Sequence, residues 1–156
     1  AHKRSTGVLA GAPNCEALPP DELLTLDVDV LMPAAIENQL TAANAGDVKA
    51  RIVAELANGP STPEADEILF DKGVYVIPDF LCNAGGVTVS YFEQVQNAYR
   101  FYWREDNVYE LLDERMTAAF QAVASAAEKY GVHNRVAAYT VAVGRVAEAC
   151  KLRGWV

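Results

Sequence analysis

Two asparagines in this 156-residue chain have the residue type and the surroundings to hold a flat polar ligand. Asn58 follows an apolar segment and precedes Gly59 and Pro60, and Asn83 precedes a pair of glycines. A side-chain amide carries two N–H donors and one carbonyl acceptor, which suits a carboxamide or the hydroxyls of a sugar. Both asparagines also stand in turn-forming sequences, so each could equally serve only to form a turn and not to bind a ligand.

Small residues lie beside these asparagines. Ala34 and Ala35 follow the first apolar segment of the chain, and small side chains let a ligand approach the backbone closely. Gly85 and Gly86 are predicted to open a helix whose free N–H groups could meet an anion, with Ser90 about one turn further along.

Three carboxylates, Glu37, Glu55 and Asp79, are expected near the same loops. A general acid or base role is open for each of them, but a solvated or capping carboxylate is the expectation. The aromatic residues of segment 99–103 are expected to serve the core and an interface, because an acidic chain is a poor platform for stacking nucleic-acid bases.

The charge balance excludes several classes of protein. Thirteen basic and 21 acidic side chains give a net charge of −8, whereas nucleic-acid binding requires clustered Lys and Arg. The longest apolar runs carry charges and prolines and are too short for a membrane span. No secretory leader is expected. The sequence therefore predicts a cytoplasmic protein that binds neither nucleic acid nor membrane.

Metal and triad chemistry are not predicted either. Cys15, Cys82 and Cys150 have no C-x-x-C spacing, and the two histidines, His2 and His133, lack the neighbours of a metal site or a Ser-His-Asp triad. Reduced cysteines are the expectation. The chain also contains neither G-x-G-x-x-G after a strand nor a P-loop lysine motif.

Strand-like and helix-like segments alternate in the first half of the chain. The best-delimited helix has Thr62 as N-cap and Gly73 as its stop. Short helices are predicted at 20–24 and 41–45. The predicted strands are residues 26–32, 51–55 and 74–77. Parallel strands open their carboxyl ends at one edge of the sheet, where α/β proteins bind ligands, so the polar residues described above are expected to meet there.

The second half is predicted to be helical. Apolar residues recur near a period of 3.6, and the predicted helices are residues 87–103, 106–130 and 134–152. On the last predicted helix, one face is apolar and consists of Val136, Tyr139, Val143, Val146 and Cys150. The predicted fold class is α/β, a partial Rossmann-like parallel sheet of about three strands followed by three C-terminal α-helices.

Four segments of the sequence resemble one enzyme family, the NAD(P)-dependent glutamate dehydrogenases, especially the short-subunit hexameric type. They are LDVDVLMPAAIEN (26–38), ANGPSTPEAD (57–66), NAGGVTVSYFE (83–93) and LRGWV (152–156). The resemblance covers nearly everything from about residue 23 onward, whereas the residues before Pro20 match only loosely.

The resemblance implies roles for six residues. The asparagines matching Asn58 and Asn83 contact the nicotinamide end of NAD or NADP, the second by holding its carboxamide. Residues matching Ala34 and Ala35 line the cofactor crevice. The substrate glutamate, whose oxidative deamination yields 2-oxoglutarate by hydride transfer, is contacted at its side-chain end by the residues matching Val87 and Ser90.

Two departures from the family pattern bear on function. Leu56 stands where the family usually has glycine; it either crowds the nicotinamide or simply packs, if the backbone there needs no positive φ. The catalytic lysine and aspartate of the family, and its glycine-rich pyrophosphate turn, have no counterpart in these residues. No catalytic residue is therefore assigned, and the chain alone is expected to be inactive and to bind the dinucleotide weakly or not at all.

The resemblance also implies a division of the chain. Residues 1–20 are an irregular segment, 21–86 the second half of a Rossmann-like dinucleotide-binding domain, and 87–156 a helical segment packing on it. The open sheet edge favours a homo-oligomer or pairing with a missing N-terminal half. A self-associating or partner-binding module derived from that domain is the alternative function.

Overall fold

A computed structural model describes residues 2–8 and 10–155 and contains one three-stranded sheet with helices around and after it. The strands are β1 (Val30–Leu31), β2 (Ile52–Ala54) and β3 (Tyr75–Ile77). The helices are α1 (His2–Thr6), α2 (Pro20–Leu23), α3 (Pro63–Asp71), α4 (Asp79–Cys82), α5 (Ala84–Tyr99), α6 (Glu105–Tyr130) and α7 (Asn134–Leu152). The predicted α/β fold class is confirmed.

The sheet is parallel throughout, in the order β1-β2-β3. Leu31 pairs with Val53, and Val53 pairs with Val76, so three buried apolar side chains form a row across the sheet. β1 is much shorter than the predicted strand. Val28 and Val30 are exposed, so the residues before Leu31 gain little from burial that would hold them in an extended ladder.

α3 begins and ends as its sequence predicts. The Thr62 hydroxyl accepts a hydrogen bond from the Ala65 N–H at 3.3 Å, and Pro63 occupies the first turn, where its missing N–H costs nothing. Gly73 follows the helix with φ +75°, a left-handed conformation that favours glycine. The chain therefore turns directly from α3 into β3.

The described residues form two apolar cores. The first lies between the sheet and α3 and contains nine buried residues: Leu31, Leu40, Ala45, Val48, Ala50, Val53, Ala65, Leu69 and Val76. The second lies among the helices and contains Leu81, Val123, Ala126, Ala137 and Ala138. α4 starts just after β3 ends and contains Leu81, which belongs to the second core. The short helix α4 therefore leads the chain from the first core to the second.

Several element boundaries differ from the prediction. α5 starts three residues earlier than predicted, at Ala84, and ends at Tyr99 because Arg100 adopts the left-handed conformation with φ 54°. A 3-10 turn, Ala45–Asp47, stands near the short helix predicted at 41–45. α1 lies inside the segment predicted to be irregular, whereas Ala1, Leu9 and Val156 lie outside the described residues.

α7 has the predicted ends, but its predicted apolar face points away from the core. Ala137 and Ala138 are buried, whereas Tyr139, Val143 and Val146 are more than half exposed. Small alanines let α7 pack closely against α6, and the larger apolar residues remain at the surface. A periodic apolar pattern thus identifies the apolar face of a helix, but it does not show which element of the protein packs against that face.

No helix within the described residues is long and apolar enough to cross a membrane.

Candidate functional site

The loops that follow the three strands meet at the carboxyl edge of the sheet, and we call this edge the rim: residues 33–39, 56–61 and 78–83. Backbone hydrogen bonds join the first two loops. The N–H groups of Leu56 and Ala57 both donate to the Pro33 carbonyl, at 3.0 and 2.9 Å. The Asn38 N–H donates to the Gly59 carbonyl at 2.9 Å. The prediction that the loops after the parallel strands meet at one edge of the sheet is therefore confirmed.

Asn58 and Asn83 lie in direct contact at the rim. The Asn83 side-chain nitrogen donates to the Asn58 side-chain oxygen at 2.8 Å and to the Leu56 carbonyl at 3.2 Å. A backbone carbonyl can only accept a hydrogen bond, so its contact fixes the Asn83 nitrogen on this side and leaves Asn58 to accept. We call Asn58 and Asn83 the amide pair.

One acceptor and one donor of the amide pair are not used within the described residues. The Asn83 Oδ1 and the Asn58 Nδ2 have no hydrogen-bond partner among the residues that the structure describes. Asn83 precedes α5 but makes no side-chain capping hydrogen bond. Gly59, with φ +57°, forms the turn beside Asn58.

Beneath the amide pair lies a cluster of four charged residues, Glu55, Asp66, Asp79 and Arg135, which we call the charged cluster. Arg135 forms ion pairs with the other three, at N–O distances of 2.5 to 2.9 Å. Every buried side-chain nitrogen and oxygen among the described residues has a hydrogen-bond partner. Charges inside a protein require this pairing, because desolvation is costly.

The expectation for Glu37, Glu55 and Asp79 is a solvated or capping carboxylate. For Glu55 and Asp79 the solvated alternative is wrong, whereas each accepts a backbone N–H as a capping carboxylate does. Glu55 is 0% exposed and accepts from the Ser61 hydroxyl at 2.6 Å and from the Asp79 N–H at 2.9 Å. Asp79 accepts from the Gly59 N–H at 2.8 Å, so it binds a rim turn as well as Arg135. Glu37 alone of the three is exposed, as expected.

Arg135 was not among the residues predicted from the sequence. One signal could have found it: Arg135 stands in the first turn of α7, where the helix dipole disfavours a cation. Such a residue needs a compensating anion nearby. Its partners come from three other parts of the chain, 56 to 80 residues away, which local sequence patterns do not reveal.

Burial and the charged cluster together shift two pKa values. Burial disfavours the charged Arg135 guanidinium, but hydrogen bonds to Asp66 and Glu55 outweigh burial and raise the pKa of Arg135 above its ordinary value. Burial raises the pKa of the Cys82 thiol, and the negative charge of Glu55 raises it further. Arg135 is therefore charged and Cys82 is a neutral thiol.

The other predicted site residues are accessible. Ala34 and Ala35 are exposed on the first rim loop, directly after Pro33. Val87 and Ser90 lie one and two turns into α5 after Asn83, and Val87 is 69% exposed. Leu56 is 43% exposed and does not have a positive φ, so the backbone there does not require glycine.

The sequence as a whole matches one protein family. The model of the Glutamate/Leucine/Phenylalanine/Valine dehydrogenase family matches residues 1–154, and the chain belongs to this family. The match includes the first twenty residues, which sequence reasoning judged only loosely similar.

Individual relatives agree. The chain is 51% identical over 153 residues to the glutamate dehydrogenase of Thermotoga maritima, covering 98% of this chain and 37% of that protein. It is 50% identical over 140 residues to the NAD-specific glutamate dehydrogenase of Staphylococcus aureus, covering 90% and 34%. The hetero-hexameric glutamate dehydrogenase of Thermus thermophilus, solved in a leucine-bound form, superposes with a TM-score of 0.88 at 36% identity, covering 97% and 36%. The chain thus spans about a third of the length of these relatives.

Proposed function

We propose that this chain forms the nicotinamide-facing part of the cofactor domain of an NAD(P)-dependent glutamate dehydrogenase. Family membership and the names of its relatives support the reaction class. The single observation that carries the proposal is the amide pair, because its two asparagines come from different loops and leave a complementary donor and acceptor at the rim. The protein is proposed to work in the cytoplasm.

The amide pair suits the carboxamide of NAD or NADP. The free Asn83 oxygen can accept from the carboxamide NH₂, and the free Asn58 nitrogen can donate to the carboxamide oxygen. Bound there, a nicotinamide ring would supply the hydride acceptor for amino-acid oxidation. The residues of this chain would fix the orientation of that ring, with Ala34 and Ala35 leaving room along the crevice.

Val87 and Ser90 are proposed to contact the side-chain end of glutamate. Both lie on the accessible side of α5, which starts directly after Asn83, so a substrate beside the nicotinamide could reach the first two turns of the helix. The Ser90 hydroxyl can donate to a carboxylate, and such a contact would favour glutamate over leucine or valine.

The 156 residues alone are proposed to be inactive. They contain no glycine-rich pyrophosphate turn of the form G-x-G-x-x-G, and they span about a third of their relatives. Half of a dinucleotide fold holds the nicotinamide end without the strong phosphate contacts, so cofactor binding by this chain is expected to be weak or absent.

The remaining residues of a complete subunit, or a second copy, are proposed to cover the outward face of α7. This proposal, which includes the alternative of a self-associating module, is supported by three large apolar side chains at the surface, on Tyr139, Val143 and Val146. Patches of this kind mark interaction sites.

A chimeric enzyme tests the proposed function. Residues 1–154 replace the matching segment of the Thermotoga maritima enzyme, and glutamate-dependent reduction of NAD and of NADP is followed by absorbance. We expect turnover by the chimera and none by the 156-residue chain. A chimera that folds with the helix content of its parent but does not turn over contradicts the cofactor role, and turnover by the chain alone contradicts its inactivity.

The substrate role is tested in the same chimera. Ser90→Ala removes one hydrogen bond to a charged group, so the KM for glutamate is expected to rise by about tenfold or more. Ser125→Ala, at an exposed position of α6, is the matched control and should leave KM unchanged. An unchanged KM in Ser90→Ala would remove Ser90 from the substrate site.

A further inference from the structure

We infer that Arg135 is a positioning residue for the amide pair: from α7 it binds the two carboxylates, Glu55 and Asp79, that hold the rim turns in place. The inference rests on the proposed function, because it names what keeps that site in shape. It assigns no contact between Arg135 and a ligand.

Arg135 uses all three of its guanidinium nitrogens, and Nη2 is shared between Glu55 and Oδ1 of Asp66, the latter at 3.1 Å. Nη2 donates to both oxygens of Glu55 at 2.7 Å, and Nη1 donates to Oδ1 of Asp79 at 2.9 Å. Nε donates to Oδ2 of Asp66 at 2.5 Å. The planar guanidinium directs these donors along fixed lines, which a single ammonium group cannot do.

Asp79 links Arg135 to the backbone beside both asparagines. Its second oxygen accepts from the N–H of Gly59, the residue directly after Asn58, at 2.8 Å. Its own carbonyl accepts from the backbone N–H of Asn83 at 2.8 Å. One residue bound by Arg135 thus touches the turn of Asn58 and the turn of Asn83.

Glu55 supports the same rim from the end of β2. One of its oxygens accepts from the Ser61 hydroxyl at 2.6 Å, and the other accepts from the Asp79 N–H at 2.9 Å. Arg135 binds both oxygens, so Glu55 has little freedom to rotate. The residues before and after the Asn58 turn are therefore anchored to one guanidinium.

A gain in folding stability does not by itself explain why these four charged residues are clustered. Three carboxylates face one guanidinium, and Glu55 and Asp66 are buried. Buried ion pairs are often no more stabilising than apolar residues of similar size, because the charges lose their hydration. Directional control of the rim, by contrast, requires groups of this kind.

Asp66 provides an internal comparison. Its side chain binds Arg135 through both oxygens, at 2.5 and 3.1 Å, and makes no hydrogen bond to a rim loop among the described residues. Asp66→Asn and Asp79→Asn therefore remove the same charge from the same cluster, but only the second weakens a direct contact with the rim.

The experiment uses the ¹⁵N-labelled 156-residue chain with Arg135→Lys, Asp79→Asn and Asp66→Asn, and with nicotinamide mononucleotide as the probe. Arg135→Lys keeps the positive charge. We expect Arg135→Lys and Asp79→Asn to move the side-chain amide signals of Asn58 and Asn83 and to raise the Kd for the probe at least fivefold, on the order of one lost hydrogen bond. Asp66→Asn should leave both readouts near wild type.

Unmoved amide signals in a folded Arg135→Lys chain overturn the inference. If that variant does not fold, Asp79→Asn decides, and equal effects of Asp79→Asn and Asp66→Asn also overturn the inference. A wild-type chain that does not bind the probe is consistent with weak or absent cofactor binding by the isolated chain. The amide signals of the free chain then test the role of Arg135, and the chimeric enzyme tests the proposed function.

Discussion

The side-chain nitrogen of Asn83 lies 2.8 Å from the side-chain oxygen of Asn58, although 25 positions separate the two residues in the sequence. The same nitrogen is 3.2 Å from the Leu56 carbonyl. These two acceptors fix the orientation of the Asn83 amide before any ligand arrives. A site whose donor and acceptor are already oriented loses less entropy on binding.

Asn83→Asp is expected to weaken binding of nicotinamide mononucleotide by about tenfold or more. The new carboxylate oxygen would face two acceptors, the Asn58 oxygen and the Leu56 carbonyl, and the amide pair would separate. Titration of the labelled chain measures the Kd. Asn97→Asp, exposed near the end of the same helix, is the control for added charge. Equal affinity in both variants contradicts the assignment of Asn83.

Sequence reasoning succeeded where local chemistry decides the structure. The α3 cap at Thr62, the stop at Gly73 and both ends of α7 follow from neighbouring residues, and all were predicted. The meeting of Asn58 and Asn83 was also predictable, because parallel strands open at one edge.

Sequence reasoning failed where distant parts of the chain decide the structure. The burial of Glu55 depends on Arg135, 80 residues further along, so the sequence predicted a solvated or capping carboxylate. The length of β1 depends on what covers Val28 and Val30, and neither is covered in the structure. The residues next to Val28 and Val30 do not distinguish an exposed segment from a buried strand. In the same way, the residues next to Glu55 do not distinguish a buried carboxylate from one at the surface.

Thr62→Ala is expected to destabilise the chain by about 1 kcal/mol, through loss of the α3 cap. It should also change the response to acid. A hydrogen bond from its own backbone N–H, and then one from the Thr62 hydroxyl, hold the pKa of Glu64 below its ordinary value. A lowered folded-state pKa stabilises the fold above the unfolded-state pKa, and this contribution is lost as the pH falls through the folded value.

The measurement is urea unfolding of wild type and Thr62→Ala across the acidic range, with an NMR titration of the Glu64 carboxyl. In Thr62→Ala the pKa of Glu64 should rise toward its ordinary value, and the acid-dependent loss should shrink. Thr117→Ala, exposed on α6, controls for a lost hydroxyl. A Glu64 pKa that does not move shows that the hydroxyl plays no part.

Cys82 is expected to react with iodoacetamide several-fold more slowly than Cys15 in the folded chain. Burial, and then the Glu55 charge, raise the pKa of Cys82, so less thiolate is present at neutral pH, while Cys15 is exposed. Mass spectrometry of the labelled peptides gives both rates. The difference should disappear in denaturant, and Glu55→Gln should speed labelling of Cys82. Equal rates in the folded chain contradict the prediction.

The outward face of α7 should make the isolated chain self-associate. Tyr139, Val143 and Val146 are 56%, 64% and 65% exposed, and burying a side chain of this size contributes about 1.5 to 3 kcal/mol. Sedimentation velocity at high micromolar concentration should therefore show dimers or larger species. Tyr139→Ser with Val143→Ser should shift the population to monomer without unfolding α7, since neither side chain is part of a buried core.

Tyr109→Ser is the matched control, because Tyr109 is 61% exposed on α6 and does not belong to the α7 face. It should leave the sedimentation profile unchanged. A wild-type chain that stays monomeric at high micromolar concentration contradicts self-association through α7. In that case the face is free to pack against the remainder of a dehydrogenase subunit. The double variant should then lower the stability of the chimeric enzyme more than that of the isolated chain, which loses only the contact between the Tyr139 and Phe80 rings, 4.9 Å apart.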